Sequence, residues 1–243
     1  ADFTIIEIGG TVGEYQNLLF LEAARMMKLE AHGDVLFVLV SYLPIPPKVG
    51  EMKTKPTQYA SRTLNSAGIQ NDIIICRAVD ALDNKRKMKI ATFCNVAVED
   101  VISAPDVDSI YDVPLNLEKQ DLGNKILAKF GMNKGRHDLK EWRKMVSRLK
   151  NAKKQVTIGV VGKYFASGNY ILADVYISVI EALKHAAAFH SVKVNLQWID
   201  SELFERAGSS LTVLKKMDGI IVPGGFGTRG VKGIIRAIEY ARK

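Results

Sequence analysis

The sequence predicts an α/β protein built from two doubly wound, mostly parallel α/β units joined by a helical linker. Three observations lead there. Short runs of continuous apolar residues, typical of strands buried on both faces, alternate with segments that are apolar at helical spacing. The alternation occurs as two series, one before Gly131 and one after Lys154. Between them the composition shifts to Asn133, Gly135, His137 and a lysine-rich stretch carrying Trp142. The expected division is therefore 1–130, a connector at 131–154, and 155–243. At 243 residues and 47% hydrophobic, the chain can bury cores without disulfide or metal staples.

In the first series, residues 3–8 read as a buried strand ending in a glycine turn, and 18–29 as a helix. Residues 35–43 form a continuous apolar strand, stopped by Pro44-Ile45-Pro46-Pro47. A helix over 57–67 follows Pro56, which suits the first helical position because its missing N–H is not needed there. Gly68 is placed to end it. Strand 72–77, helix 85–93, short strand 101–103 and helix 122–130 complete the series. The second series reads as strand 156–161, then a helix over 175–189 with Val179, Ala182, Leu183 and Ala186 on one face. Strand 192–199, a mostly helical stretch 203–217, strand 219–222 and helix 231–242 follow.

The 34 Lys plus Arg against 26 Asp plus Glu give a net charge of +8, which favours anionic partners. The charge does not gather into a stripe studded with aromatics, so nucleotides are expected and nucleic acid is not. No apolar run reaches transmembrane length, and no membrane partner is expected. Cys76 and Cys94 both stand in apolar surroundings and read as buried reduced thiols. His32, His137, His185 and His190 form no triad or metal spacing. The start, Ala1-Asp2-Phe3, is neither a methionine nor a signal peptide, so the chain reads as a fragment.

The densest chemistry lies in Lys53-Thr54-Lys55-Pro56-Thr57-Gln58. Two ammonium groups, two hydroxyls and an amide meet a helix start whose free N–H groups suit a polyanion such as a triphosphate. Glu7, before Gly9 and Gly10, is an acid at the tip of an apolar segment and suits Mg²⁺, which takes one or two carboxylates beside phosphate oxygens. Glu14 and Gln16 suit a base, a ribose or a helix cap. Asp106-Val107-Asp108 suits an adenine or ribose but reads equally as an acidic turn, and Lys89 as a solvated lysine. Gly225-Phe226-Gly227-Thr228-Arg229-Gly230 fits G-x-G-x-x-G, yet follows the third strand of its unit rather than the first, which argues against a dinucleotide site. Its glycine turn suits backbone N–H groups aimed at an oxyanion. Gly159-Val160-Val161-Gly162-Lys163 lacks Walker A spacing, with Tyr164 where Ser or Thr belongs, so Lys163 reads as a surface lysine, with a ligand role as the alternative.

Taken in order, Glu7-Ile8-Gly9-Gly10-Thr11-Val12-Gly13, Met52-Lys53-Thr54-Lys55-Pro56-Thr57-Gln58, Phe93-Cys94-Asn95-Val96, Asp106-Val107-Asp108-Ser109-Ile110-Tyr111, Val156-Thr157-Ile158-Gly159-Val160-Val161-Gly162-Lys163-Tyr164, Ser178-Val179-Ile180-Glu181-Ala182-Leu183-Lys184-His185 and Val222-Pro223-Gly224-Gly225-Phe226-Gly227 resemble the CTP synthase family. The resemblance covers nearly the whole chain. It implies a P-loop NTPase-like amidoligase part, a flavodoxin-like class I glutamine amidotransferase part, and a cytoplasmic homotetrameric ligase of pyrimidine biosynthesis. That enzyme makes CTP from UTP, ATP and glutamine, with Mg²⁺ and with GTP as activator. Glu7 then matches the Mg²⁺ ligand. Glu14, Tyr15 and Gln16, the stretch Lys53, Thr54, Lys55, Pro56, Thr57 and Gln58, and Lys89 match the CTP/UTP site, which the family builds from neighbouring subunits.

Pro105, Asp106 and Val107 match ATP contacts, and Gly225 the glutamine-binding turn, with residues 226–230 in the lid that responds to GTP. The family's phosphate-cradling loop lies before Ala1, and its catalytic cysteine, histidine and glutamate lie after Lys243, so no catalytic residue is assigned and the chain alone is expected to be inactive. Glu14-Tyr15-Gln16 replaces the family's more usual Asp-Ile-Glu, which bears on inhibition by CTP, and Asn169-Tyr170-Ile171-Leu172-Ala173 is unusual. Another glutaminase-fused amidoligase, or a non-catalytic CTP/UTP-binding assembly module, are the alternatives.

Overall fold

The computed structural model describes residues 1–136, 138–163, 166–167, 170–171, 173–206 and 208–243. The chain divides into two compact units, Ala1–Asp138 and Leu139–Lys243. His137, Tyr164, Asn169 and Leu172, named above, lie outside the described residues.

The first unit runs α1 (Leu18–Glu30), β1 (Val38–Tyr42), α2 (Lys55–Ser66), β2 (Ile73–Ala78), α3 (Asn84–Cys94), β3 (Val101–Pro105), α4 (Val113–Glu118) and α5 (Leu122–Lys129). Its three strands are parallel in the order β1-β2-β3. Successive side chains of a strand face opposite ways, and the two faces of this sheet bury different sets. Ile74 and Cys76 join Leu39, Leu43, Leu64, Ile90 and Cys94, whereas Ile73 joins Ile102 and Leu122. Both thiols are free and buried. Burial, and then the neighbouring Cys94 thiol, push Cys76 up to about 12.

Residues 3–8 do not form the expected strand. Ile5 is 96% exposed and Ile6 is exposed too, while the ring of Phe3 meets that of Phe130 at 5.8 Å. Apolar composition makes a strand only where a neighbour supplies a ladder, and no described strand pairs with this segment. The strand expected over 35–43 is likewise shorter. Outside the regular ladder, the Phe37 carbonyl accepts from the Asp72 and Ile73 N–H groups, and the Phe37 N–H donates to the Asp72 carboxylate at 2.7 Å.

At the β3 edge, the Gln120 amide does the work of a missing strand. It accepts from the Ser103 N–H at 2.8 Å and donates to the Ser103 carbonyl at 2.6 Å. Gln120→Ala strands both groups on a buried residue. It is expected to destabilise the unit by about 1–3 kcal/mol, read from urea unfolding. An unchanged midpoint would mean that water replaces the amide.

The second unit runs α6 (Lys140–Asn151), β4 (Lys154–Gly162), β5 (Ala166–Ser167), β6 (Tyr170–Ile171), α7 (Ile177–His190), β7 (Val192–Asp200), β8 (Gly219–Ile221) and α8 (Val231–Arg242). A parallel sheet has the order β7-β4-β8, and β5 pairs with β6 antiparallel. Val161, Ile199, Phe204, Leu214 and Ala237 form its core, and α6 packs on α7 and β7.

Two expectations are corrected here. Residues 203–217 are not mostly helical but form two short 3-10 turns, Ser201–Phe204 and Thr212–Lys216. Gly208 adopts φ +73° between them, and the Ser209 and Ser210 hydroxyls bond locally, which competes with a helical ladder. The inward stripe of α7 is Ile180, Ala187 and Ala188, while Ala182 and Ala186 are exposed. A helix rich in alanine gives its apolar face little definition. Among the described residues, no helix is long and apolar enough to cross a membrane.

Candidate functional site

Parallel strands bring the ends of β1, β2 and β3 to one edge, where α/β sheets collect ligands. Two backbone bonds set the loop after β1 there. The Leu43 N–H donates to the Arg77 carbonyl at 2.8 Å, and the Lys53 N–H to the Pro44 carbonyl at 2.9 Å. The next turn begins α2 at Lys55, so Pro56 is the second helical residue rather than the first. No side chain caps this start, and the Gln58 N–H donates to the Thr54 carbonyl at 3.2 Å.

The two threonines of this stretch look inward. Thr57 is fully buried, with its hydroxyl 2.8 Å from that of Ser41. Thr54 is buried, and its hydroxyl accepts from Gln58 Nε2 at 3.0 Å. Thr57 holds the helix start to β1, Thr54 braces its first turn, and the exposed work is left to Lys55 and the half-buried Lys53.

Lys53 Nζ lies 2.6 Å from Glu51 Oε2, and Arg86 Nη2 lies 3.8 Å from Glu51 Oε1. Arg86 Nε donates to the Met52 carbonyl at 3.3 Å, and Arg86 Nη1 donates to Asp83, the residue that caps α3 by accepting from the Arg86 N–H at 2.7 Å. The hydrogen bond from Lys53 and its charge hold the Glu51 carboxyl below the usual range against a small burial effect, and Arg86 and Lys89 add to the lowering. Lys53 and Arg86, distant in sequence, thus meet at one carboxylate. Glu51 and Arg86 are the members that sequence reasoning missed. The only local sign was the Asp83-x-x-Arg86 cap spacing.

Pro105 ends β3 beside Ala78 at the end of β2. The Asp106 N–H donates to the Ala78 carbonyl at 2.8 Å, and Arg77 Nη2 lies 3.7 Å from Asp106 Oδ1. Residues 105–107 therefore stand at the same sheet edge. Glu14, Tyr15 and Gln16 do not. They are exposed on a turn where the neighbouring Gly13 approaches Thr63 so closely that a Cβ would stand 3.1 Å from Thr63 Cγ2. Thr63 is eight residues along α2 from Lys55, about 12 Å at 1.5 Å per residue. Gly10, at φ +82°, leaves room for the Glu14 carboxylate, which a Cβ there would meet at 2.6 Å.

Glu7 is exposed, and Ile8 beside it packs on the cluster that contains Leu43 and Met52. Among the described residues, no three His, Cys, Asp or Glu side chains are grouped to hold a metal.

In the second unit, Gly225 is exposed just beyond β8. Lys163 is 6% exposed rather than on the surface, and donates to the Gly227 carbonyl at 3.0 Å. Arg229 Nη2 donates to the Lys163 carbonyl at 2.9 Å, and Arg229 Nε lies 3.1 Å from Glu202 Oε1. These bonds tie the glycine turn to the ends of β4 and β7.

Two family profiles match. The one described as CTP synthase N-terminus covers residues 1–132, and the one described as Glutamine amidotransferase class-I covers residues 171–243. A curated relative from Carboxydothermus hydrogenoformans, named CTP synthase, is 47% identical over 243 residues, which is 100% of this chain and 44% of the relative. One of the same name from Methanocaldococcus jannaschii is 48% identical over 248 residues, 100% of this chain and 45% of the relative. A third, from Pyrococcus furiosus, is 47% identical over 243 residues, 100% and 44% respectively. The chain thus spans less than half the length of these relatives.

Proposed function

Because this chain belongs to the CTP synthase family, we propose that its first unit binds UTP and ATP, and its second unit glutamine, in a ligase that aminates UTP to CTP. The observation that carries this reading is the pair of cations, Lys53 and Arg86, 2.6 and 3.8 Å from the Glu51 carboxylate, beside an uncapped helix start at the carboxyl edge of the sheet. Lys53, Lys55 and the α2 N–H groups hold the UTP or CTP phosphates, with Lys89 adding charge. Residues 105–107, at the neighbouring strand end, hold ATP.

The O4 of UTP is a poor leaving group. Phosphorylation by ATP converts it to one that departs as phosphate when ammonia attacks C4. The cationic edge supplies the positioning and charge that phosphoryl transfer needs. Glu7, an exposed hard oxygen donor, fits as one ligand of a Mg²⁺ that takes its remaining donors from phosphates and water. That ion would neutralise charge on the transferring group.

In the second unit, the Gly225 turn holds glutamine, the source of the ammonia, and residues 226–230 respond to GTP as activator. The distance of residues 14–16 from Lys55 within one chain supports a pyrimidine site completed by a neighbouring copy, as in a homotetramer. The free buried thiols suit a reducing compartment such as the cytoplasm.

Calorimetric titration of UTP and CTP into the chain tests the site. Both nucleotides are expected to bind, and the pair Lys53→Met and Lys55→Met to weaken them at least about tenfold. Equal affinity in the double variant would sink the assignment.

A further inference from the structure

We infer that Glu51 is a resident counter-ion of the triphosphate site and that Arg86 receives it when Lys53 turns to the nucleotide, so that the pair selects triphosphates over weaker anions. The inference rests on the pyrimidine-site reading above. Its basis is how the two oxygens of Glu51 are shared: Oε2 lies 2.6 Å from Lys53 and Oε1 3.8 Å from Arg86.

The two cations differ in freedom. Arg86 is fixed by the Met52 carbonyl, by Asp83 and by its place in the first turn of α3. Lys53 is half-buried and carries its ammonium on a flexible stem. An arriving phosphate can therefore draw Lys53 away but cannot draw Arg86. The carboxylate left behind would repel the phosphates. Closing its 3.8 Å separation from Arg86 into a direct hydrogen bond gives it a partner instead.

Selection follows from competition. Lys53 already has a full unit of negative charge in contact. Only an anion that brings several charges at once gains by the exchange. A triphosphate does so, and a single phosphate gains far less.

The experiment titrates inorganic tripolyphosphate and inorganic phosphate into the chain at low salt. The forms compared are wild type, Glu51→Gln, Arg86→Met and the double variant. Glu51→Gln is expected to tighten tripolyphosphate about two- to fivefold, and to tighten phosphate by a larger factor. Arg86→Met is expected to weaken tripolyphosphate in the wild-type background but to do little when Glu51 is already Gln. That non-additivity is the mark of the handover. It also separates the handover from any general loosening caused by removing the Arg86 bonds to Asp83 and Met52, which would appear in both backgrounds.

Additive effects, or a weaker Glu51→Gln variant, would overturn the inference and leave the site reading intact. A wild-type chain that takes up neither tripolyphosphate nor UTP would overturn both.

Discussion

Gly233→Ala is expected to destabilise the second unit by about 3 kcal/mol or more, against the usual gain from replacing a helical glycine. By intrinsic propensity alone, alanine in α8 would be favoured by about 1 kcal/mol. The local packing forbids it. A Cβ on Gly233 would stand 1.8 Å from the Ser201 carbonyl oxygen and 2.8 Å from its carbon. Both are backbone atoms of a fully buried residue and have no rotamer to change. Relief requires α8 to move away from the turn that follows β7.

That movement breaks other bonds. One turn further along α8, Arg236 donates to the Phe204 carbonyl and to the Ser209 hydroxyl, the latter at 3.1 Å. Overpacking costs roughly 1–3 kcal/mol, and each lost hydrogen bond about 1 more. Thermal unfolding followed by circular dichroism reads the result. A variant as stable as wild type would show that α8 and the turn after β7 are not in contact.

The second large effect is expected from Ile90→Ala, at about 2–5 kcal/mol in the first unit. Ile90 is fully buried under α3, in the cluster that holds Ile74, Leu43 and Leu64. The same helix carries Arg86 and Lys89 toward the sheet edge. Truncation leaves a cavity beneath the element that positions the cations. The milder Ile90→Val should cost only about 0.5–1.5 kcal/mol. Urea midpoints of the two variants check the ordering, and equal midpoints would mean that the site collapses around the smaller side chain.

Much of this architecture was legible because it depends on local signals. Apolar runs bounded by Pro44 and Gly68 mark a strand end and a helix end without knowledge of any neighbour. Lys53 and Lys55 stood out because a helix start beside two ammonium groups is a local arrangement. What escaped depends on distant partners. The Glu51–Arg86 contact joins positions 35 apart, and the Lys163 bond to Gly227 joins positions 64 apart. Burial of Lys163 is unreadable until β4 and the glycine turn are brought together. Residues 3–8 failed for the complementary reason, since their side chains suit a strand and no described strand pairs with them.

Gln120 carries a consequence of this kind. A sheet that ends in open backbone groups is a template on which a stray extended peptide can add, and repeated addition is how fibrils grow. With its amide seated on Ser103, Gln120 blocks the β3 side midway along the strand. Among the described residues, the sheet's other flank is β1, where Val40 and Tyr42 are exposed.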